Sequence, residues 1–178
     1  MKNESDKKEV SGAQNISSKC FVCGIDNELS LRTQFLNLED GSICALFTTR
    51  QEHQGYPGRI HGGVVSAILD EAIGRAIQAT DPDVFGVTIE LSVKFRKPAP
   101  IGEQLRVFGR IDRQTKRVFE GSGELLLPDG TVAAQAHAKY LRVDVDRIVE
   151  GGLAEIDWVA DDRPVPKTIE ALSLPRGA

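Results

Sequence analysis

Apolar residues recur at steps of three and four along one stretch of the chain. They are Val64, Val65, Ile68, Leu69, Ala72, Ile73, Ala76 and Ile77. This spacing places them on one side of a helix. The run Thr80-Asp81-Pro82-Asp83 that follows is typical of a helix end. The sequence therefore predicts one long amphipathic helix over about 61–79.

Six other segments alternate apolar and polar residues, as half-buried strands do. Two precede the helix and four follow it, and short runs rich in Gly, Pro and polar residues separate them. The segments are 29–37, 42–49, 85–96, 104–113, 117–127 and 131–143. Short turns join antiparallel strands, and one helix can cover only one face of a sheet. The predicted fold is therefore α+β, with an antiparallel sheet of about six strands wrapped around one long central helix.

Two adjacent carboxylates in the predicted helix face different directions. At about 100° per residue, Asp70 shares a flank with Gly63 and Ser66, at the edge of the apolar stripe. Glu71 points elsewhere and forms with Arg75 the i,i+4 pair that is typical of solvated helix faces. The pattern predicts that Asp70 is a functional carboxylate and that Glu71 is a surface residue.

The composition is that of an ordinary soluble globular chain. The 178 residues are 40% hydrophobic and 27% charged, with a formal net charge of −4, which fits one domain with tails. This charge gives no general electrostatic reason to bind nucleic acid or an acidic membrane. No apolar run approaches the roughly 20 residues of a membrane helix. The three cysteines are an odd number, which argues against a disulfide framework and suits a reducing cytoplasm.

The two ends of the chain lack the patterns of its middle. Residues 1–19 are polar and predict a flexible N-terminal leader without the apolar core of a secretory signal. The ordered domain is predicted over 20–145. Residues 146–178 form a C-terminal extension with several prolines and a short predicted helix near 154–159, and its role cannot be assigned from the sequence.

Cys20 and Cys23 form a CxxC pair that invites two functional interpretations. As half of a zinc site the pair needs further ligands, and the chain offers neither a second CxxC nor an HxxxH. A redox CxxC normally opens a helix after a strand, a context absent here. We therefore expect no metal, and we expect both cysteines to shape the N-terminal turn.

The helix and its flanks also carry a specific combination of motifs. HGGVVSAILDEAIGRA is preceded by HQGYPG and followed by TIELSVKFRKPAPIGEQLRVFGRI. Over about 20–145 this combination closely resembles the hotdog-fold acyl-CoA thioesterases, and most nearly the phenylacetyl-CoA and 4-hydroxybenzoyl-CoA thioesterase subgroup. The resemblance implies a hotdog fold, hydrolysis of acyl-CoA to a carboxylate and free CoA, and homodimers that often pair into tetramers. It implies no cofactor, since coenzyme A is part of the substrate.

The resemblance further implies which residues act. The family's catalytic carboxylate stands nine residues after the His of the HGG motif, and here that residue is Asp70. The family's oxyanion donor is the backbone amide of the Gly after the His, here Gly62, with Gly63 as its neighbour. His61 corresponds to the His that braces this loop.

At two positions the chain departs from the family pattern. The amide side chain expected six residues before the His falls on Gly55, with Gln54 one residue away as the alternative. The Thr found one helical turn after the carboxylate in some members falls on Gly74. Ser66, one turn before the carboxylate, is a substitute for its water-orienting role.

Elementary geometry adds the requirement of a second chain. A helix start offers unpaired amides and a partial positive charge to an oxyanion, and a carboxylate can attack the carbonyl carbon or activate a water. Gly62 and Asp70 are eight residues apart in sequence, about 12 Å along a helix axis. Both must lie roughly 3 Å from the same carbonyl. The sequence therefore predicts a homodimer in which antiparallel helices pair Gly62 of one chain with Asp70 of the other.

The densest basic cluster is a candidate for binding the phosphates of coenzyme A. It consists of Lys94, Arg96 and Lys97, with Arg113, Lys116 and Arg117 as competitors. Two other functions stay open. A non-catalytic acyl-CoA or lipid-binding hotdog module is favoured by the two departures just described. Hydration of an enoyl-CoA is disfavoured, because no paired Asp and His stand in the arrangement that hydratases use.

Overall fold

The computed structural model of the chain describes residues 7–145, 149 and 157–171. One long helix, α1 (Gly62–Arg75), continues into a 3₁₀ turn, Ala76–Ala79. Its buried face carries the predicted apolar stripe, including Ile68, Leu69 and Ile73. The helix predicted over 61–79 is confirmed. Neither α1 nor any other helix of the described residues has the length and apolarity needed to span a membrane.

The strands of the described residues form one large antiparallel sheet and one small pair. In chain order they are β1 (Lys7–Ala13), β2 (Ile16–Ser17), β3 (Gln34–Leu38), β4 (Ile43–Thr48), β5 (Phe85–Phe95), β6 (Gln104–Gln114), β7 (Val118–Leu126), β8 (Val132–Val143), β9 (Trp158–Val159) and β10 (Thr168–Glu170). The large sheet has eight strands in the order β10-β1-β3-β4-β6-β7-β8-β5, and β2 pairs with β9. The hotdog class is confirmed. The sheet exceeds the predicted six strands because both chain ends add to it.

Two glycines let the helix lie close to the sheet. A Cβ on Gly109 of β6 would stand 2.7 Å from the carbonyl oxygen of Ala72, and one on Gly121 of β7 would stand 2.7 Å from Cγ2 of Ile73. Both distances are shorter than van der Waals contact. The close approach of α1 to β6 and β7 therefore depends on glycine at these positions.

The prediction of a flexible leader over 1–19 is wrong for residues 7–17. β1 pairs with both β3 and β10, and β2 pairs with β9. Ile16 is only 1% exposed. The segment reads as polar because most of the side chains of β1 face solvent wholly or in part, so its composition resembles that of an unstructured leader. Residues 1–6 lie outside the described residues.

The C-terminal extension returns to the N-terminal strands. β10 covers the outer edge of β1, with Lys8 opposite Ile169. Arg163 donates hydrogen bonds to the carbonyl oxygens of Arg32 and Thr33. Of the helix predicted near 154–159, residues 158 and 159 form β9, and 154–156 lie outside the described residues. The extension thus adds the edge strand β10 to the sheet beside β1.

Candidate active site

The start of α1 holds one backbone amide open. His61 is the N-cap, and its ring Nδ1 accepts the N–H of Gly63 at 2.9 Å. Val64 and Val65 both donate to the carbonyl oxygen of His61. Among the described residues the N–H of Gly62 has no acceptor. The imidazole therefore occupies the second amide of the helix and leaves the first one available to a ligand.

The loop before the helix is braced by the other histidine of the motif. His53 is buried, its Nδ1 accepts the N–H of Arg50 at 3.0 Å, and its Nε2 lies 2.9 Å from the carbonyl oxygen of Leu29. Because Nδ1 accepts, the proton is on Nε2 and is donated to Leu29. The carbonyl oxygen of His53 accepts the N–H of His61 at 2.9 Å. His53 is therefore a structural residue that fixes the position of the helix start.

Gln54 and Gly55 take positions that explain the first departure from the family pattern. The Oε1 atom of Gln54 accepts the N–H of Gly58 at 2.8 Å, which closes the turn between them. A Cβ on Gly55 would lie 3.1 Å from Cα of His61. This is tighter than ordinary contact, so a larger side chain at position 55 would press on the N-cap. Gln54 is the polar side chain near the helix start, and its oxygen already has a donor.

Asp70 lies midway along α1 and receives two hydroxyl donors. Thr88 Oγ1 donates to Oδ1 of Asp70 at 2.9 Å, and the Tyr140 hydroxyl lies 3.0 Å from the same oxygen and 2.7 Å from the Asp70 carbonyl oxygen. Among the described residues the other carboxylate oxygen, Oδ2, has no partner. One oxygen is thus held in place while the other is available.

Burial is the main influence on the acidity of this carboxyl. It raises the pKa of Asp70, and the charge of the neighbouring Glu71 acts in the same direction, while the hydrogen bonds from Thr88 and Tyr140 partly offset the rise. Burial and the nearby Asp70 also raise the pKa of the Tyr140 hydroxyl. Tyr140 therefore stays protonated and acts as a donor.

Tyr140 also explains the second departure, at Gly74. A Cβ on Gly74 would lie 3.1 Å from Cε1 of Tyr140, so the tyrosine ring occupies the space that a side chain would need. The ring is held from its other side by a stacked Phe119 at 4.8 Å between centroids. The hydroxyl beside Asp70 therefore comes from β8 and not from position 74 of the helix. The sequence contains a weak signal for it, since Tyr140 is the one tyrosine within the predicted strands.

Ser66 lies between the two candidate groups. Its Oγ donates to the carbonyl oxygen of Gly62 at 3.0 Å. The hydroxyl proton is therefore used within the first turn of the helix, and only the acceptor side of the oxygen is left for a water. This contact is local, as it is for many serines in helices.

The predicted groups lie in two separate cavities of one chain. The first, of about 440 Å³, is lined by Asp70, Thr88 and Tyr140 among others; we call it the aspartate cavity. The second, of about 330 Å³, is lined by Gly62 and Phe95 among others; we call it the glycine cavity. The two share no lining residue. A single chain therefore does not bring the open amide and the carboxylate together.

The basic cluster spans the end of β5, with Lys94 in the strand and Arg96 and Lys97 just beyond it. Arg96 and Lys97 line the glycine cavity, and the guanidinium of Arg96 donates to Oε1 of Gln135. Lys94 is exposed and lies opposite Gln135 in the pairing of β5 with β8, outside that cavity. Two of the three predicted cations are thus beside Gly62.

The segment that holds both Gly62 and Asp70 matches a known protein family. Residues 57–142, just under half of the chain, match the Thioesterase superfamily. The matched segment runs from the loop before α1 to the end of β8. Residues 57–142 belong to the thioesterase superfamily.

Similarity to known proteins covers more of the chain than residues 57–142. Mouse acyl-coenzyme A thioesterase 13 is 27% identical over 122 residues, which cover 67% of this chain and 86% of the mouse protein. The crystal structure of a thioesterase superfamily protein matches with a TM-score of 0.64 and 29% identity, over 70% of this chain and 60% of that one. The crystal structure of a phenylacetic acid degradation-related protein from Ralstonia eutropha matches with a TM-score of 0.56 and 26% identity. The match covers 62% of this chain and 85% of that one. By these likenesses the chain is a thioester hydrolase.

The prediction that the Glu71–Arg75 pair lies on a solvated face of this thioesterase helix is wrong for Arg75. The ion pair between Arg75 and Glu71 forms at 2.7 Å, but Arg75 is only 6% exposed. Its guanidinium is stacked between the rings of Phe35 and Trp158, at 4.5 and 4.9 Å from their centroids. Glu71 lines the aspartate cavity beside the catalytic candidate. The helical spacing predicts the ion pair correctly. It does not predict that Phe35 of β3 and Trp158 of β9 cover the guanidinium of Arg75.

The CxxC pair packs against this ion pair in the thioesterase core. The N–H groups of Val22 and Cys23 lie 3.2 and 3.5 Å from Sγ of Cys20, and Nη2 of Arg75 donates to Sγ of Cys23 at 3.2 Å. A hydrogen bond from the Cys23 thiol is the main cause that lowers the pKa of Cys20 to about 6, and it correspondingly raises the pKa of Cys23. The two cysteines therefore shape the turn that begins the core, as predicted, and Cys23 also contacts α1 through Arg75.

Proposed function

We propose that this protein hydrolyses acyl-CoA thioesters at two equivalent sites of a homodimer. The observation that carries the proposal is that Gly62 offers an open hydrogen-bond donor and Asp70 offers an open carboxylate oxygen. The amide of Gly62 has an open N–H at a helix start, and Asp70 is a partly buried carboxylate with a free oxygen and a raised pKa. Acyl-coenzyme A is the substrate class named for the mouse relative.

The edge of the sheet supports a dimer. β5 is the last strand of the large sheet, 11 residues long, and within the described residues it pairs only with β8. Val87, Ile89 and Phe95 along it are 41%, 54% and 57% exposed. A long apolar edge strand is a template for pairing with another chain. Antiparallel pairing of β5 with its copy across a two-fold axis would extend the sheet and set the two α1 helices side by side.

In such a dimer each site combines the glycine cavity of one chain with the aspartate cavity of its partner. The Gly62 N–H, supported by the partial positive charge of the helix start, binds the thioester oxygen as negative charge develops on it. Asp70 from the partner attacks the carbonyl carbon or removes a proton from an attacking water. Tyr140 and Thr88 hold the carboxylate in place. A hydroxylamine trap separates the two routes, since only direct attack gives an acyl anhydride on Asp70.

The position of the basic residues supports coenzyme A as the leaving group. Arg96 and Lys97 line the glycine cavity, and cations of this kind bind phosphate groups. We expect Lys97→Ala to raise KM for acyl-CoA several-fold with little change in kcat, because it removes binding that substrate and transition state share. Lys116→Ala tests the competing basic cluster on the turn between β6 and β7, which does not line the glycine cavity, and it should leave KM unchanged.

A shared site has a sharp test in a heterodimer of two inactive chains. Gly62→Pro removes the open N–H alone, because proline is well accepted at the first position of a helix. His61 before it already has φ −64 and ψ 138, the extended conformation that a following proline requires. Asp70→Asn removes the carboxylate alone. Each homodimer should lose nearly all turnover.

The heterodimer, purified through two different affinity tags, keeps one intact pair of groups. It should regain about half of the wild-type turnover per dimer, since one of two equivalent sites is restored. If Gly62 and Asp70 acted within one chain, the heterodimer would be as inactive as its parents. That result would refute the shared site while leaving thioester hydrolysis itself open.

The rival function is a non-catalytic acyl-CoA-binding module. A free-thiol assay with short, long and aromatic acyl-CoAs distinguishes the two functions, because only an enzyme releases the CoA thiol. Thiol release that disappears in Asp70→Asn supports the proposal. Tight binding of the same compounds without thiol release would replace it with the binding module.

A further inference from the structure

We infer that Cys20, Cys23 and Glu71 form a binding site for one thiophilic divalent cation, of which Zn²⁺ is the natural candidate. The two sulfur atoms and a carboxylate oxygen of Glu71 lie within 4.8 Å of one another. Thiolate and carboxylate ligands at about 2.0–2.3 Å from zinc require a contraction of roughly 1 Å, which side-chain rotation supplies. The third ligand comes from the helix and lies 48 positions after Cys23 in the sequence, so the motif alone does not reveal it.

The turn around Cys20 is built to hold a thiolate. Its sulfur accepts the backbone N–H groups of Val22 and Cys23, and bonds of this kind favour the charged form that metals require. Gly24 closes the turn by donating to the carbonyl oxygen of Cys20 at 2.9 Å. A Cβ on Gly24 would lie 2.4 Å from the carbonyl oxygen of Ser18, so only glycine fits there. The CxxCG turn therefore has its conformation set before any ion binds.

The charges of the cluster match a divalent ion. With both cysteines as thiolates, a dication balances their two charges, and Glu71 and Arg75 cancel each other. The loaded site therefore has a net charge of zero. Arg75 can keep its bond to Cys23, since an N–H donated to a ligating sulfur leaves other lone pairs for the metal. A buried cluster that stays neutral avoids the large cost of an uncompensated charge.

The fourth coordination position faces a cavity. Cys20 and Glu71 both line the aspartate cavity, so a water molecule can complete a tetrahedral site. The ion would connect the N-terminal turn to the middle of α1, next to Asp70. Its role is to fasten this turn onto the helix that carries the carboxylate, and it is independent of how the thioester is cleaved.

Metal content and spectroscopy test the site directly. The full chain, purified without chelator and dialysed, should retain about one zinc ion per chain. Its cobalt derivative should show the near-ultraviolet bands of thiolate-to-cobalt charge transfer. Glu71→Gln should weaken zinc binding by about tenfold or more in a competition titration with a chromophoric chelator. This variant keeps the length of the side chain and an oxygen that can still accept from Nε of Arg75, and a thermal melt beside each titration shows that the variant is folded.

Matched cysteine variants complete the test. Cys20→Ser and Cys23→Ser should abolish the charge-transfer bands. Cys44→Ser, which changes the remaining cysteine of the chain in β4, should retain both zinc and bands. Wild-type protein that binds no zinc at micromolar free metal overturns the inference. So does equal loss of binding in Cys44→Ser, or the finding that Cys20 and Cys23 form a disulfide under reducing purification.

Discussion

The hydroxyl of Tyr140 lies 3.0 Å from Oδ1 of Asp70 and 2.7 Å from the carbonyl oxygen of the same residue. One side chain of β8 thus fixes both the backbone and the carboxylate of the helix position that resembles the family's catalytic site. This contact joins residues 70 positions apart in the chain. It gives Asp70 the hydroxyl partner that Gly74 cannot supply.

Removal of that hydroxyl should change the pH dependence of turnover. The bond from Tyr140 favours the charged carboxylate and so lowers the pKa of Asp70. In Tyr140→Phe the pKa should rise further, and the acidic limb of kcat/KM should move upward by about one pH unit. Tyr56→Phe, which changes the other tyrosine of the chain at an exposed position, is the control. An unmoved acidic limb would show that Tyr140 does not act on the reacting carboxylate.

Asp70→Asn should stabilise the fold in a pH-dependent way. The folded-state pKa of Asp70 is raised, so the folded chain holds this proton more tightly than the unfolded chain does. The charged carboxylate therefore costs stability above the folded pKa, and this cost disappears as the pH falls below the unfolded pKa. The variant should melt above the wild type at about pH 8, and the difference should shrink toward about pH 4. Thermal melts across this range measure it, and a difference of the opposite sign at high pH would contradict the burial argument.

His61 should contribute to stability as an N-cap. His61→Ala removes the acceptor of the Gly63 N–H and should lower the free energy of unfolding by about 1 kcal/mol. His61→Asn should recover most of this loss, because asparagine ranks among the best N-caps. Urea denaturation compares the three chains. If Ala and Asn behave alike, the ring stabilises the loop by packing and the bond to Gly63 is incidental.

Gly109 should be intolerant of a side chain. Gly109→Ala places a Cβ 2.7 Å from the Ala72 carbonyl oxygen, and such overpacking typically costs about 1–3 kcal/mol. Arg110→Ala, an exposed neighbour on the same strand, should change the free energy of unfolding by less than about 0.5 kcal/mol. Equal effects in denaturant titrations would mean that α1 can move away from the sheet at little cost.

The central elements of the fold could be predicted because their signals are local. The apolar steps of three and four in 61–79 predict the helix, and the alternation in 85–96 and 131–143 predicts β5 and β8, whatever these segments pack against. β1 could not be predicted in this way, since a mostly solvated strand has the composition of an unstructured leader. Its place in the sheet depends on its pairing with β3 and β10.

The candidate site was predictable only in part. The resemblance of the HGG motif identifies Gly62 and Asp70 as the groups to examine, and their spacing requires two chains. It does not show that the His61 ring accepts the Gly63 N–H, that the Tyr140 hydroxyl contacts Asp70, or that Glu71 lies beside two cysteines. These relations join distant segments, and no local pattern encodes them.

The sequence by itself determined the family, the helix with its carboxylate, and the separation of that carboxylate from the glycine-rich start. Only the tertiary structure decided what surrounds each group. Arg75 shows the physical reason. Its i,i+4 spacing from Glu71 is the same whether the guanidinium faces water or packs between the rings of Phe35 and Trp158. Burial is a property of the packed chain, and burial sets the charge, the pKa and the hydrogen-bond partners on which the chemistry depends.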